Sequence, residues 1–96
     1  MSVYVINNMS IHDPAEYKTY ARAFMPTLEV FGGKVLAAQN APVAIEGQWP
    51  HDRTIVLEFP SRELCQQWSD SPAYQAIVGH RRAGAASNVV VLDGLG

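Results

Sequence analysis

The sequence predicts an α+β sandwich with the element order β-α-β-β-α-β, and three observations predict it. Arg53 to Phe59 is the best strand in the chain, alternating Ile55, Leu57 and Phe59 with Thr54, Val56 and Glu58. Two strong helix starts, Asp13-Pro14 and Ser71-Pro72, each set a capping residue before a proline at the first helical position. Short β-branched runs at Val3–Ile6 and Val89–Val91 flank the whole. Two long strand–helix–strand units with right-handed crossovers give a four-stranded ferredoxin-like sheet with helices on one face.

In chain order, residues 2–9 read as a first strand. Asp13 caps the helix that follows, with Glu16 three residues later completing a capping box. Tyr17, Tyr20, Ala21, Phe24, Leu28 and Phe31 recur at three- and four-residue intervals as one apolar stripe. Pro26 lies within it and is expected to kink or split the helix. Gly32-Gly33 ends it, one glycine taking the left-handed conformation. Residues 34–39 form a second strand, Asn40-Ala41-Pro42 bends it, and residues 43–46 resume extended structure. Pro60 stops the ladder of the third strand, and Ser61 caps a short helix bearing Leu64, Cys65 and Trp68. Ser71 restarts the helix, with Tyr74, Ile77 and Val78 inward and Arg81 and Arg82 near its C-terminus, where they complement the dipole. Residues 88–92 form the last strand.

Ninety-six residues (1–96) fit one domain, with 48% hydrophobic and 17% charged residues. A net charge of -2, with Arg81-Arg82 the only basic cluster, offers no footprint for nucleic acid or an anionic membrane. The apolar run at residues 3–6 is too short for a signal peptide or a membrane span, and the single Cys65 fits a reducing compartment, so the expected location is cytoplasmic. His12, His51 and His80 are scattered without ligand spacing, so neither a metal nor a cofactor is expected. Phosphate-cradling and nucleophile-elbow motifs are lacking.

The residues in sequence resemble the domain-of-unknown-function family 1330, of the dimeric α/β-barrel superfamily. The resemblance rests on Asp13-Pro14 with Tyr17 and Tyr20, Gly32-Gly33, Glu46-Gly47 with Trp49, and Arg53. It continues through Glu58-Phe59-Pro60-Ser61, Trp68, Ser71-Pro72 with Tyr74, and Arg81. One departure is Ala38-Gln39-Asn40, where the family often carries an arginine followed by glycines. The resemblance implies a homodimer whose two sheets pack into a barrel, with a cleft between sheet and helices in each subunit. The face of the third strand carrying Thr54, Val56 and Glu58 calls for such a cover, since it is neither polar enough for open water nor continuous enough for a dry core.

Candidates for chemistry are the carboxylates Glu46 and Glu58, Arg53 as their expected ion-pair partner, and His12 as a neutral imidazole before a helix start. The plain alternative for the charges is a structural Arg–Glu bridge. Tyr20, Trp49, Trp68, Ser71, Tyr74 and Arg81 are the candidate ligand-binding residues. Their expected place is between the sheet and the restarted helix, with Trp49 at a rim or interface. Tyr20 and Trp68 also suit a packed core. The expected function is binding of a small, partly apolar organic molecule, with cofactor-independent proton transfer or oxidation as the catalytic option. The rival is a non-catalytic interaction module whose cleft its own side chains fill; a cavity of ~300 Å³ or more separates the two.

Overall fold

A computed structural model describes residues 1–95. It contains β1 (Val3–Ile11), α1 (Pro14–Glu29), β2 (Lys34–Asn40), β3 (Arg53–Phe59), α2 (Arg62–Asp70), α3 (Pro72–Gly84) and β4 (Ala85–Asp93). The strands form one antiparallel sheet in the order β2-β3-β1-β4, the ferredoxin-like arrangement. Both central strands therefore come from the two runs whose side chains alternate most strongly in burial.

Local chemistry sets the helix boundaries. The Asp13 side chain accepts from the Glu16 N–H, Ser61 Oγ from the Leu64 N–H, and Ser71 Oγ from the Tyr74 N–H. Each cap satisfies a first-turn donor that the helix cannot. At the end of α1, the Gly33 N–H reaches the Leu28 carbonyl and the Gly32 N–H reaches that of Glu29. Gly32 takes φ +73°, and the paired bonds are those of a Schellman motif.

Two expectations are corrected. Pro26 does not split α1, which runs unbroken from Pro14 to Glu29. A proline removes one backbone donor and crowds the carbonyl four residues back. Here Thr27 and Leu28 directly after it are buried, and Thr27 Oγ1 accepts from Trp68 Nε1 at 3.2 Å, so tertiary packing holds the last turn. Residues 43–46 join no strand; the chain from residue 41 to 52 leaves the sheet as a loop exposing Val43 and Ile45.

The helices cover one face of the sheet. Val3 and Val5 of β1 and Leu57 and Phe59 of β3 meet Tyr20 and Leu28 of α1, Cys65 and Trp68 of α2, and Tyr74 and Val78 of α3. The opposite face carries Tyr4 and Ile6, Thr54, Val56 and Glu58, and Val90 and Leu92. Ile6 lies opposite both Val56 and Val90, so this face has an apolar centre, with Val90 and Leu92 about half exposed.

Two glycines of α3 separate packing from propensity. A Cβ on Gly84 would stand 2.8 Å from the Tyr17 nitrogen and 2.9 Å from the Asp13 oxygen, both backbone atoms that cannot move aside cheaply. Gly84→Ala is expected to cost about 1–3 kcal/mol, the usual penalty of overpacking. Gly79 is exposed within the same helix and a Cβ there meets nothing. Gly79→Ala is expected to stabilise by about 0.4–1 kcal/mol. Urea denaturation of the two variants checks both signs.

Candidate functional site

Between the covered face of the sheet and the helices lies a cavity of about 420 Å³. Its floor is Val5, Asn7 and Met9 of β1 with Arg53, Ile55 and Leu57 of β3. Alternation along these strands aims them all at the helices. Tyr20 and Phe24 of α1, Cys65 and Trp68 of α2, and Tyr74 and Arg81 of α3 form the roof.

The aromatic wall is one connected stack. Trp68 lies 4.2 Å from Tyr74 and 5.1 Å from Phe59 between ring centroids, and Tyr20 lies 6.3 Å from Tyr74, edge-on. All four rings are buried, so these residues are core and cavity wall at once, except Phe59, which lies beneath the wall. The Tyr20 and Tyr74 hydroxyls stand 3.5 Å apart. That is long for a bond between hydroxyls, and leaves both groups free to turn to a better partner. Burial first, then the neighbouring Tyr74, pushes the Tyr20 phenol far above its ordinary range, outweighing the opposite effect of Arg81. Tyr20 is thus a hydrogen-bonding phenol and never a base near neutral pH. Burial likewise pushes the Cys65 thiol up, against the lowering effect of Arg62, which keeps it protonated.

The charged groups of the cavity are cationic and incompletely paired. Arg53, Arg81 and Arg82 line it, and no Asp, Glu or His does so among the described residues. Arg81 is 7% exposed, its guanidinium carbon 5.8 Å from the centre of the Tyr20 ring, and its buried Nε has no hydrogen-bond partner. Arg53 donates from Nη1 to Asn40 Oδ1 at 2.9 Å, but its buried Nε is also without a partner. Asn7, 9% exposed, leaves its Oδ1 unpartnered.

Of the residues singled out in the sequence, the cavity brings together Tyr20, Trp68, Tyr74, Arg81 and Arg53. Ser71 is adjacent but engaged as a cap at both ends, its Oγ accepting from the Tyr74 N–H and donating to the Trp68 carbonyl at 2.7 Å. Trp49 is elsewhere. It stands half exposed in the 41–52 loop and donates from Nε1 to Thr54 Oγ1 at 2.7 Å, on the border of the uncovered face. Glu46 is exposed in the same loop, and His12 is exposed before α1. Glu58 lies on the uncovered face, opposite Lys34 of β2.

The expected Arg53–Glu pair does not form; among the described residues the ion pairs are Arg62–Asp93 and His80–Glu16, both exposed. Arg53 and Glu58 are five residues apart on one strand, so they project to opposite faces roughly 16–17 Å apart. The β2–β3 register instead sets Asn40 beside Arg53. His51 Nδ1 lies 2.9 Å from Ser10 Oγ, and no cluster of three metal-ligating side chains occurs among the described residues. No helix among them is long and apolar enough to cross a membrane.

The buried polar residue Asn7 escaped the sequence reading. Asn7 shares strand parity with Val3 and Val5, which would have placed its amide under the helices. Arg81, already a candidate from the sequence, lies seven residues after Tyr74 and three after Val78, in phase with the buried stripe of α3.

The model of the family described as "Domain of unknown function (DUF1330)" matches residues 2–95. The chain belongs to this family. No curated protein sequence matches it. Among solved structures, a protein of unknown function from Rhodopseudomonas palustris is similar at a TM-score of 0.80 and 23% identity, covering 99% of this chain and 83% of that one. SnoaB from Streptomyces nogalater, a cofactor-independent oxygenase, is similar at a TM-score of 0.62 and 14% identity, covering 99% and 94%. A dimeric ferredoxin-like protein of unknown function from Jannaschia sp. is similar at a TM-score of 0.70 and 12% identity, covering 98% and 100%. At these identities the likeness is one of fold, and it agrees with the ferredoxin-like family member that the sequence resemblance implied.

Proposed function

We propose that the protein is a homodimer that binds a small, partly apolar organic molecule in the cavity of each protomer. The observation that carries the reading is the cavity of about 420 Å³, walled by aromatic rings and holding unpartnered polar atoms. A void of this size favours a ligand over a cleft filled by the protein's own side chains. Binding is the reading, with catalysis second. The Streptomyces neighbour is described as a cofactor-independent oxygenase, and acid–base chemistry at this cavity would need a group able to take a proton near neutral pH. The described lining holds no carboxylate or imidazole, and the Tyr20 phenol and the Cys65 thiol are shifted away from neutrality. Trp68 reports on the cavity, so titration with one- and two-ring aromatic compounds is expected to quench its fluorescence saturably. Absence of saturable binding across the panel would refute the reading.

The dimer rests on the uncovered face. Ile6, Val56, Val90 and Leu92 form an apolar strip on a sheet that helices cover only from the other side, and such strips are covered in stable proteins. The bordering loop, with Ile45, Val43 and Trp49 exposed, extends the same surface. Neighbours described as dimeric ferredoxin-like proteins support a second copy as the cover. Sedimentation at micromolar concentration is expected to give twice 10.5 kDa. Ile6→Asp, at the centre of the strip, is expected to weaken association at least 100-fold, about 2.7 kcal/mol. A wild-type monomer at that concentration would overturn the dimer.

A further inference from the structure

We infer that the ligand of this cavity is an organic anion: a planar, one- or two-ring acid whose carboxylate meets Arg81 and Arg53. The inference rests on the binding reading above and adds the charge and chemical class of the ligand.

The charge balance of the lining is the first argument. Three arginines face the cavity with no acidic side chain among the described residues. An arginine cannot shed its proton to escape burial, so a buried guanidinium calls for a counter-charge. Arg81 is more than nine-tenths buried and finds only the face of Tyr20, an attraction far weaker than an ion pair in a site of low polarity. Arg53 is fixed through Nη1 to Asn40 and keeps a buried Nε free. This leaves two oriented guanidinium groups lining one cavity, each with an unused N–H. A carboxylate is the small organic group whose two oxygens suit such donors.

The rest of the lining describes the body of the ligand. Trp68, Tyr74, Phe24 and Tyr20 on one side and Val5, Ile55 and Leu57 on the other favour a flat apolar skeleton. The unpartnered Asn7 Oδ1 is an acceptor on the cavity floor, matched by a hydroxyl or amine donor on the ring. The Tyr20 and Tyr74 hydroxyls, held only by their long mutual contact, supply further polar partners.

The test is a calorimetric titration of the full chain at pH 7 with matched pairs: benzoate and benzamide, 2-naphthoate and 2-naphthamide. These share shape and differ in charge. The acids are expected to bind at least 10-fold more tightly than their amides, and Arg81→Met is expected to abolish that preference while amide binding persists. Amides that bind the wild type as tightly as the acids would overturn the anion inference and leave the binding reading standing. The same holds for an acid preference that survives in both Arg81→Met and Arg53→Met. If neither acids nor amides bind, both readings fail. The wild-type comparison decides even if a variant does not fold.

Discussion

Replacing Arg81 with methionine is expected to make the ligand-free protein more stable, by roughly 1–2 kcal/mol. Three terms decide the sign. Exchanging buried charged groups for apolar ones of similar volume gains about 1–4 kcal/mol where it has been measured. Against this, the guanidinium loses its contact with the Tyr20 ring, about 0.5–1 kcal/mol. It also loses its favourable place in the last turn of α3, about 0.3–1 kcal/mol. Burial at 7% exposure with Nε unpartnered puts the first term ahead, and the two opposing terms keep the net gain small. The difference should shrink towards zero on adding a bound acid. At 100 times its dissociation constant a ligand stabilises the wild type by about 2.7 kcal/mol, and a variant binding 10-fold more weakly forgoes about half of this. Urea denaturation with and without 2-naphthoate measures both. A variant less stable than wild type in the absence of acid would mean that the guanidinium is already compensated, and the premise for an anionic ligand would go with it.

The fold was legible because its signals are local. Asp13, Ser61 and Ser71 cap by reaching three residues along the chain. Alternation along β3 assigns Ile55, Leu57 and Phe59 to the helices without knowledge of what packs there. The site was legible only in part, because it depends on register and helix phase across the molecule. The pairing of β2 with β3 shifts between Val35 and Ala37, and with that shift Asn40 rather than Gln39 faces Arg53. Composition cannot signal such an irregularity. Glu58 stood out as a charge among apolar residues, yet parity alone sends it to the face away from the cavity. Arg81 was legible as a candidate, and its phase relative to Tyr74 and Val78 is the signal that turns it inward. Pro26 shows the opposite balance: a strong local breaker overruled by the burial of Thr27 and Leu28 beyond it.

Trp68→Ala is expected to cost about 3–5 kcal/mol, the range for deleting a buried large aromatic side chain. A domain of this size holds only about 5–15 kcal/mol in total, so the variant should be largely unfolded at modest denaturant. The expectation follows from position. Trp68 is 6% exposed and ties α2 to the rest of the domain: Phe24 and Thr27 of α1, Phe59 of β3 and Tyr74 of α3 all contact it. Deletion also enlarges the existing cavity of about 420 Å³, so the void left behind has less chance to collapse. Trp68→Phe separates ring from hydrogen bond. It keeps most of the stack and removes the Nε1–H donated to Thr27 Oγ1. Because Thr27 Oγ1 itself donates to the Phe24 carbonyl at 2.7 Å, it is not stranded, and the loss should be near the net worth of one bond, about 0.5–1.5 kcal/mol. The ratio of the two losses is the informative quantity. A Phe variant as unstable as the Ala variant would place the stability in the Trp68–Thr27 bond. A near-wild-type Ala variant would mean that the aromatic stack is an ornament of the cavity and not the joint between helices and sheet.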